Sequence, residues 1–428
     1  MLVAVYHVVS MIEYLFSALF FIVPLIFYPK TSEVFEFNKI VVVYIFTTLI
    51  MAVWLIKMIQ KKKILFKHTI LDIPFLLFLG SQLISTIISI DTRTSIFGYY
   101  SRFNGGFLST LCYTLLYWAF VSNIKKKYIK HIILSILVSA VIVSIYGIFE
   151  HFGASFSCIF IRGKFNDSCW VQDIKSRVFA TLGQPNWLAA FLVAVMPMAL
   201  SNVITQKESK TKIIYTIISI LFFACILFTK SRSGLLALGI SYLIFWFFNI
   251  RKNFKLFIIL NLIFLVIVAI FGTPITPSIN DLMHPKITQK VSTDTTEGGT
   301  ESGIIRKIVW KGAIDIFKHN PITGTGVETF GYSYWQYRPV EHNTVSEWDF
   351  LYNKAHNEYL NIAANTGFLG LISYSILVSL SIFILRKNPA LLAGYVSILI
   401  TNFFGFSVVI ISLLFFLMPG IEIILKDG

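Results

Sequence analysis

Two cations stand between apolar runs in the stretch FTKSRSGLLAL, residues 228–238. Lys230 and Arg232 have only a few loop residues to hold them, and charged side chains at membrane depth are costly and commonly functional. Two interpretations are open. Both side chains can extend to lipid phosphates. Alternatively, Arg232 binds an anionic ligand, because its planar guanidinium fits the oxygens of a phosphate.

His356, in the sequence AHNEYL, is a second candidate for chemistry. A neutral imidazole, with an ordinary pKa of about 6.5, can take a proton from a hydroxyl as a general base. Single loop histidines are more often structural or simply exposed. His342 also precedes an asparagine, so the His-Asn pair alone is not specific.

Three further arginines, Arg102, Arg177 and Arg306, occur in longer loops near the ends of apolar runs. A solvated face or a lipid headgroup contact is the ordinary explanation for each one alone. Together with Arg232 they fit a polyanionic head group bound at the lipid surface.

Metal and cofactor motifs do not stand out. The sequence has no CxxC, no HExxH and no nucleotide-binding glycine motif, and its closest acidic pair in the longer loops is Glu347 and Asp349 in SEWDF. A metal-dependent glycosyltransferase usually has an Asp-x-Asp pair, whereas arginines can neutralise an anion without a metal. We therefore expect no metal and no cofactor.

These residues must be positioned by membrane-spanning helices. Of the 428 residues, 56% are hydrophobic and 13% are charged, which excludes an ordinary soluble domain. The apolar residues form blocks of roughly 18 to 22, which span a bilayer as helices. We predict an all-α polytopic membrane protein with about 12 transmembrane helices. The predicted spans are residues 10–28, 40–57, 70–90, 107–123, 132–151, 186–205, 212–229, 234–250, 256–272, 366–385, 389–404 and 406–425.

Two kinds of loop alternate between these spans. The short loops are rich in lysine, so the positive-inside rule predicts that they and both termini are cytoplasmic and that the longer loops lie outside. The net charge of +15 then reflects the cytoplasmic loops rather than nucleic-acid binding. Cys158 and Cys169 share an outer loop, where a disulfide is plausible. The last two spans, 389–425, could instead form a re-entrant pair that turns at 401–405.

The predicted organisation has three parts: 1–272 with transmembrane helices 1 to 9, a large extracytoplasmic loop at 273–365 with the catalytic elements, and 366–428 with helices 10 to 12. Within the loop, residues 292–303 have small or polar side chains and several glycines, and this segment is predicted to be flexible. In 306–321, apolar residues recur at helical spacing, which predicts an amphipathic helix on the outer membrane surface.

Five motifs in order resemble the O-antigen ligase superfamily, over roughly residues 70–425. They are GYYSRFNGG, RVFATLGQPNWLAAFLVAVMPMAL, TKSRSGLLAL, R-x3-W-x-GA followed by NPITGTGVETF, and AHNEYLNIAANTGFLG. The resemblance implies a GT-C-like membrane glycosyltransferase that takes a glycan from undecaprenyl pyrophosphate on the outer face of the cytoplasmic membrane. The acceptor would be a hydroxyl of a lipid, a growing glycan or a protein. Such a transfer would be metal-independent and would invert the anomeric centre.

The resemblance also implies site residues. The catalytic positions are His356 as the general base, with Arg232 and Arg306 stabilising the pyrophosphate leaving group. The implied substrate-binding positions, with less defined roles, are Arg102, Arg177 and Asn186. Lys230 is a further substrate-binding candidate from its position beside Arg232. A lipid headgroup contact explains Lys230 equally well.

Three alternatives stay open at this level. A polysaccharide polymerase of the same superfamily shares the architecture, and the acceptor is not encoded in any recognisable motif. A lipid-linked oligosaccharide flippase would also have about 12 spans, but it does not need a large outer loop with an arginine and a histidine. An enzyme of the peptidoglycan-polymerase type would rest on an outer carboxylate, Glu347 or Asp349.

Overall fold

A computed structural model describes residues 2–276 and 302–426, and this part of the chain is helical throughout with no strand. Two short 3-10 turns, Ala180–Leu182 and Val340–Thr344, accompany the helices. The helices are α1 Leu2–Leu25, α2 Glu36–Lys61, α3 Asp72–Ile87, α4 Thr92–Phe97, α5 Phe107–Asn123, α6 Lys126–His151, α7 Phe156–Arg162, α8 Pro185–Thr205, α9 Ser209–Phe228, α10 Arg232–Asn249, α11 Phe254–Phe271, α12 Ser302–His319, α13 Phe330–Gln336, α14 Glu358–Leu385, α15 Pro389–Phe403 and α16 Val409–Lys426.

Each predicted span overlaps one of these helices. Eight helices are long and apolar enough to cross a membrane: α2, α6, α8, α9, α10, α11, α14 and α16. Three shorter apolar helices, Met11–Leu25 within α1, α3 and α15, match further predicted spans, and α5 matches the remaining one. The chain is therefore a polytopic helical membrane protein, and the count of twelve spans stays a prediction.

Side-chain caps explain where several helices begin. The Asn388 side chain accepts a hydrogen bond from the backbone N–H of Leu391, and Pro389 occupies the first helical position of α15. Ser231 caps α10 in the same way by accepting from the N–H of Gly234. These residue types satisfy backbone donors that a helix start leaves without partners.

Two helices form the centre of the bundle. Almost all of the apolar stretches of α8 and α16 are buried. α8 packs against α9, α10 and α15, and α16 packs against α5 and α15. In contrast, α11 is mostly uncovered and contacts α9. Because lipid tails are as apolar as these side chains, close van der Waals packing holds the helices together.

The helix that follows the large loop begins earlier than predicted. α14 begins at Glu358 rather than at 366, and it contains a kink at Gly367, where φ is 61°. A Cβ there would lie 2.4 Å from the carbonyl carbon and oxygen of Ile322, and the Phe368 N–H donates to the Pro321 carbonyl at 2.7 Å. The segment PITGTG thus packs backbone to backbone on the kink, which requires glycine.

The predicted amphipathic helix forms, but its apolar face does not lie on a membrane surface. Ile308, Val309, Ala313 and Ile316 of α12 are buried against protein. Their cluster includes Phe330, Tyr334, Val345, Tyr352, Ala355 and Ala364. The periodicity was correctly assigned to a helix, but the partner of its apolar face is the rest of the large loop and α14 rather than lipid.

Three further predictions concern the last two helices, the cysteine pair and the segment predicted to be flexible. Residues 389–425 form two helices, α15 and α16, with a turn at 404–408. Cys158 and Cys169 form a disulfide. The predicted flexible segment at 292–303 lies almost wholly outside the described residues, which resume at 302.

Candidate functional site

A cavity of about 610 Å³ lies among the predicted outer segments, within the size range of small-molecule sites. Three predicted site residues line it: Arg102, Arg306 and His356. They come from the α4–α5 loop, the start of α12 and the residues before α14, so distant segments of the chain build one site. Aromatic and polar neighbours complete its wall, including Phe35, Gln184, Trp187, Tyr352 and Phe406.

The loop GYYSRFNGG presents Arg102 by closing on itself. A Cβ on Gly106 would lie 2.4 Å from the backbone nitrogen of Gly98, so the two ends of the loop touch. The Arg102 guanidinium carbon lies 5.4 Å from the ring centroids of both Trp187 and Phe406. At this distance the rings attract the cation without neutralising it.

Two asparagines hold the backbone around His356. The Asn357 side chain caps α14 by accepting from the Leu360 N–H at 3.0 Å, and the Asn361 side chain accepts from the Ala355 N–H at 3.2 Å. His356 itself has a left-handed φ of 51°, an uncommon conformation for a residue other than glycine. The motif AHNEYLN therefore encodes a fixed backbone for its histidine.

Burial and nearby cations act on His356 in the same direction. Its pKa is lowered to about 4, chiefly by burial and then by the charges of Arg306, Arg102 and Lys354 in that order. Both effects disfavour the imidazolium. His356 is consequently neutral at pH 7 and able to accept a proton.

Arg306 lies near the beginning of α12, on the side that meets the cavity. Burial lowers the pKa of its guanidinium, and Arg177 also acts on it as a like charge. Arginine remains protonated despite such shifts. Arg102 and Arg306 thus place two positive charges at the histidine with a cavity in front of them.

Asn186 joins two of the predicted motifs. Its side-chain oxygen accepts from the Ser231 hydroxyl at 2.7 Å, which ties the start of α8 to the α9–α10 junction. Asn186 and Ser233 also line a recess of about 20 Å³ shared with Arg306 and His356. That volume accommodates about one water molecule.

The other predicted cations do not line the large cavity. Arg232 is exposed at the first position of α10, although its neighbour Ser233 lines the small recess. Lys230 is exposed with a φ of 48°, and its charge acts on His151. Arg177 donates through Nε to the Thr229 carbonyl at 3.3 Å. The roles of these three cations stay predictions: none of them lines the large cavity, although the charge of Arg177 acts on Arg306.

The competing candidates His342, Glu347 and Asp349 lie in three different surroundings. His342 is fully buried, and its Nδ1 is 2.7 Å from the Tyr334 hydroxyl, so it belongs to the core. Glu347 lines the cavity and accepts a hydrogen bond from Tyr352, whereas Asp349 is exposed and off the lining. Within 2–276 and 302–426, no three His, Cys, Asp or Glu side chains are grouped in a way that could hold a metal ion.

Several site residues had no assignment from the sequence. Trp187 directly follows Asn186 in GQPNW, so the motif itself was the available signal. Phe406 lies in the segment TNFFGF, whose sequence indicated a possible turn between two helices but no site residue. Tyr352 and Lys354 precede His356 by a few positions, and Lys354 forms a buried ion pair with Glu328 of GVETF. No local pattern distinguishes such residues from ordinary aromatic and charged side chains near an interface.

The arrangement can bind an anion and remove a proton side by side. Two arginines suit a phosphate or pyrophosphate, and a neutral histidine beside them suits a hydroxyl that must be deprotonated.

Residues 217–375 match the family model described as O-antigen ligase. The matched range contains Arg232, Arg306 and His356, while Arg102, Arg177 and Asn186 lie before it. No curated protein matched the chain.

Proposed function

We propose that this chain, of which residues 217–375 match the O-antigen ligase family model, transfers a glycan from undecaprenyl pyrophosphate to an acceptor hydroxyl at the outer face of the cytoplasmic membrane. The observation that carries this proposal is the meeting of Arg102, Arg306 and His356 at one cavity of about 610 Å³. A lipid pyrophosphate donor and a hydroxyl acceptor are the substrates that such a site would accommodate.

The proposed reaction is one direct displacement. The acceptor oxygen forms a bond to the anomeric carbon as the bond from that carbon to the pyrophosphate oxygen breaks. Arg306 and Arg102 stabilise the charge that develops on the departing pyrophosphate. An imidazole nitrogen of His356 takes the hydroxyl proton, and attack opposite the leaving group inverts the anomeric centre.

Donor binding would also strengthen the base. A bound pyrophosphate offsets the positive charges of Arg306 and Arg102, which are among the causes that lower the pKa of His356. The pKa then rises towards its ordinary value, and the imidazole becomes a stronger proton acceptor. Proton removal is thereby coupled to the presence of the donor.

The outer location draws on two observations. The Cys158–Cys169 disulfide belongs to the same set of loops as the site, and disulfides persist in oxidising compartments. The lysine-rich loops lie at the opposite ends of the spans.

The test is a transfer assay with purified protein in liposomes, an undecaprenyl pyrophosphate-linked glycan and candidate acceptors. We expect His356→Ala to lower kcat/KM by roughly 10²- to 10⁴-fold, and Arg306→Ala or Arg102→Ala by roughly 10²- to 10³-fold. Arg93→Ala is the matched control, because Arg93 is exposed on α4 and does not line the cavity. EDTA should leave the rate unchanged.

Near-normal activity in the three cavity variants would show that the site is misassigned. Loss of activity with EDTA would contradict a metal-independent transfer. Movement of intact donor between leaflets, with no change in its mass, would indicate a flippase instead. Product formed on lipid A core distinguishes a ligase from a polymerase, which extends a glycan chain.

A further inference from the structure

The turn between α15 and α16, residues 404–408, reaches into the proposed site. Phe406 is 8% exposed. It lines the large cavity, the small recess beside Asn186, and a third void of about 10 Å³ that Lys354 and Glu328 also line. One ring thus lines three spaces, and His356 lines two of them, the large cavity and the small recess.

Two cationic side chains lie close to the Phe406 ring. Its centroid lies 5.4 Å from the Arg102 guanidinium carbon and 5.6 Å from the Lys354 ammonium nitrogen. The His356 ring is 5.5 Å away and nearly perpendicular to it, at 66°. Cations within about 6 Å of a ring centroid are attracted by its quadrupole, more strongly where water is excluded.

We propose that Phe406 is a positioning residue for the glycosyl transfer site. Its ring holds the Arg102 guanidinium and the Lys354 ammonium beside the histidine and keeps water from the imidazole. The inference rests on the proposed function for the reaction itself, while the effect on His356 is measurable without any transfer activity.

An aromatic ring suits this place better than a carboxylate or an aliphatic side chain. A carboxylate would also hold both cations, but its charge would cancel the positive charge that an anionic donor needs. Lys354 already has such a partner in Glu328. An aliphatic side chain would exclude water but would give the cations no attraction, and two like charges would move apart.

Several groups other than Phe406 also surround His356, and they are the background against which the effect of the ring is measured. Arg306 approaches from α12, and the Tyr352 ring lies 5.5 Å from the imidazole. Glu358 begins α14 and interacts with Lys354, and Glu347 lines the same cavity. All of these groups remain when only the Phe406 ring is replaced.

The experiment uses the full-length protein in detergent and compares Phe406→Leu, Phe406→Tyr and the control Phe403→Leu. Phe403 ends α15, is 44% exposed and lines none of the three spaces. Carbethoxylation of His356 by diethyl pyrocarbonate is followed by mass spectrometry across pH, because only the neutral imidazole reacts. In Phe406→Leu we expect the pH midpoint to rise by roughly one unit as water enters, whereas Phe406→Tyr and Phe403→Leu should resemble the wild type.

Transfer activity gives the second measurement. We expect kcat to fall roughly tenfold in Phe406→Leu, the effect of losing one desolvated cation–ring contact, with recovery in Phe406→Tyr. Phe406→Met replaces the leucine variant if the latter does not elute as a folded protein.

The proposal is overturned if Phe406→Leu keeps both the labelling midpoint and the kcat of the wild type. It is also overturned if Phe406→Tyr is as impaired as Phe406→Leu. If the labelling midpoint moves as expected but the wild type transfers no glycan, the positioning role holds and the proposed function fails.

Discussion

At the residue scale, the site depends on the environment of one histidine. His356 has an ordinary side chain in an uncommon backbone conformation, next to backbone positions that Asn357 and Asn361 hold by hydrogen bonds. Burial and three cations keep it neutral. The pKa of His356 is therefore set by its neighbours, and it should rise when an anion offsets their positive charge.

This predicts a particular pH dependence. In the free protein the pKa of His356 is about 4, so kcat/KM should stay level as pH falls from 7 to 5 and decline only near pH 4. In the complex with donor, the anion raises that pKa, so the acid limb of kcat should lie at higher pH than that of kcat/KM. Steady-state kinetics between pH 4 and 8 measure both limbs.

Arg306→Gln provides the internal check. It removes a charge that lowers the pKa of His356, so the acid limb of its kcat/KM should move upward. A wild-type limb at about pH 6.5, unchanged in this variant, would contradict the electrostatic account of the site.

At the element scale, close backbone contacts at Gly324 and Gly367 position the large loop. The segment 323–326 packs on the kink of α14, where the Thr325 and Gly326 N–H groups donate to the Ala364 and Asn365 carbonyls. Glu328 follows directly and reaches Lys354, two residues before His356. The kink thus sets where the end of the loop meets the site.

Gly324→Ala should destabilise this contact. Gly324 has a φ of 67°, and a Cβ there would lie 2.2 Å from the carbonyl carbon of Asn365. A left-handed alanine costs about 1–2 kcal/mol, and the backbone overlap adds to it. We expect a lower unfolding temperature in thermal scans of detergent-solubilised protein.

Gly239→Ala is the control for Gly324→Ala. An added Cβ at Gly239 meets nothing within 4 Å in the middle of α10, where alanine is the better helix former. Equal unfolding temperatures for the two variants would refute the proposed role of the contact.

At the scale of the whole molecule, the arrangement of charge predicts an orientation. The lysine-rich loops and the site segments lie at opposite ends of the predicted spans. Since lysine and arginine are retained on the cytoplasmic side, the site should face outward.

Cysteine labelling in spheroplasts tests this orientation. Lys207→Cys and Asn343→Cys introduce thiols at exposed positions that are predicted to lie on opposite sides of the membrane, while the two free cysteines, Cys112 and Cys225, are buried. A membrane-impermeant maleimide should label Asn343→Cys in intact spheroplasts and Lys207→Cys only after permeabilisation. The reverse result would place the site in the cytoplasm.

The sequence was enough to predict the class of protein and most of its helices, because hydropathy and charge act over short windows that each helix contains within itself. It also nominated Arg102, Arg306 and His356, whose motifs are local. The helical spacing of apolar residues likewise predicts the helix at 302–319. It does not predict which surface the apolar face of that helix covers.

The packing of distant segments brings some of these candidates together and leaves others apart, and the folded structure shows which. It grouped Arg102 and Arg306 with His356, left Arg232 and Lys230 outside the cavity lining, and brought Phe406 into the site from a turn with no distinguishing motif. A cavity is formed by the ends of helices that are distant in the chain, so its membership depends on how those helices pack and not on any single window of sequence.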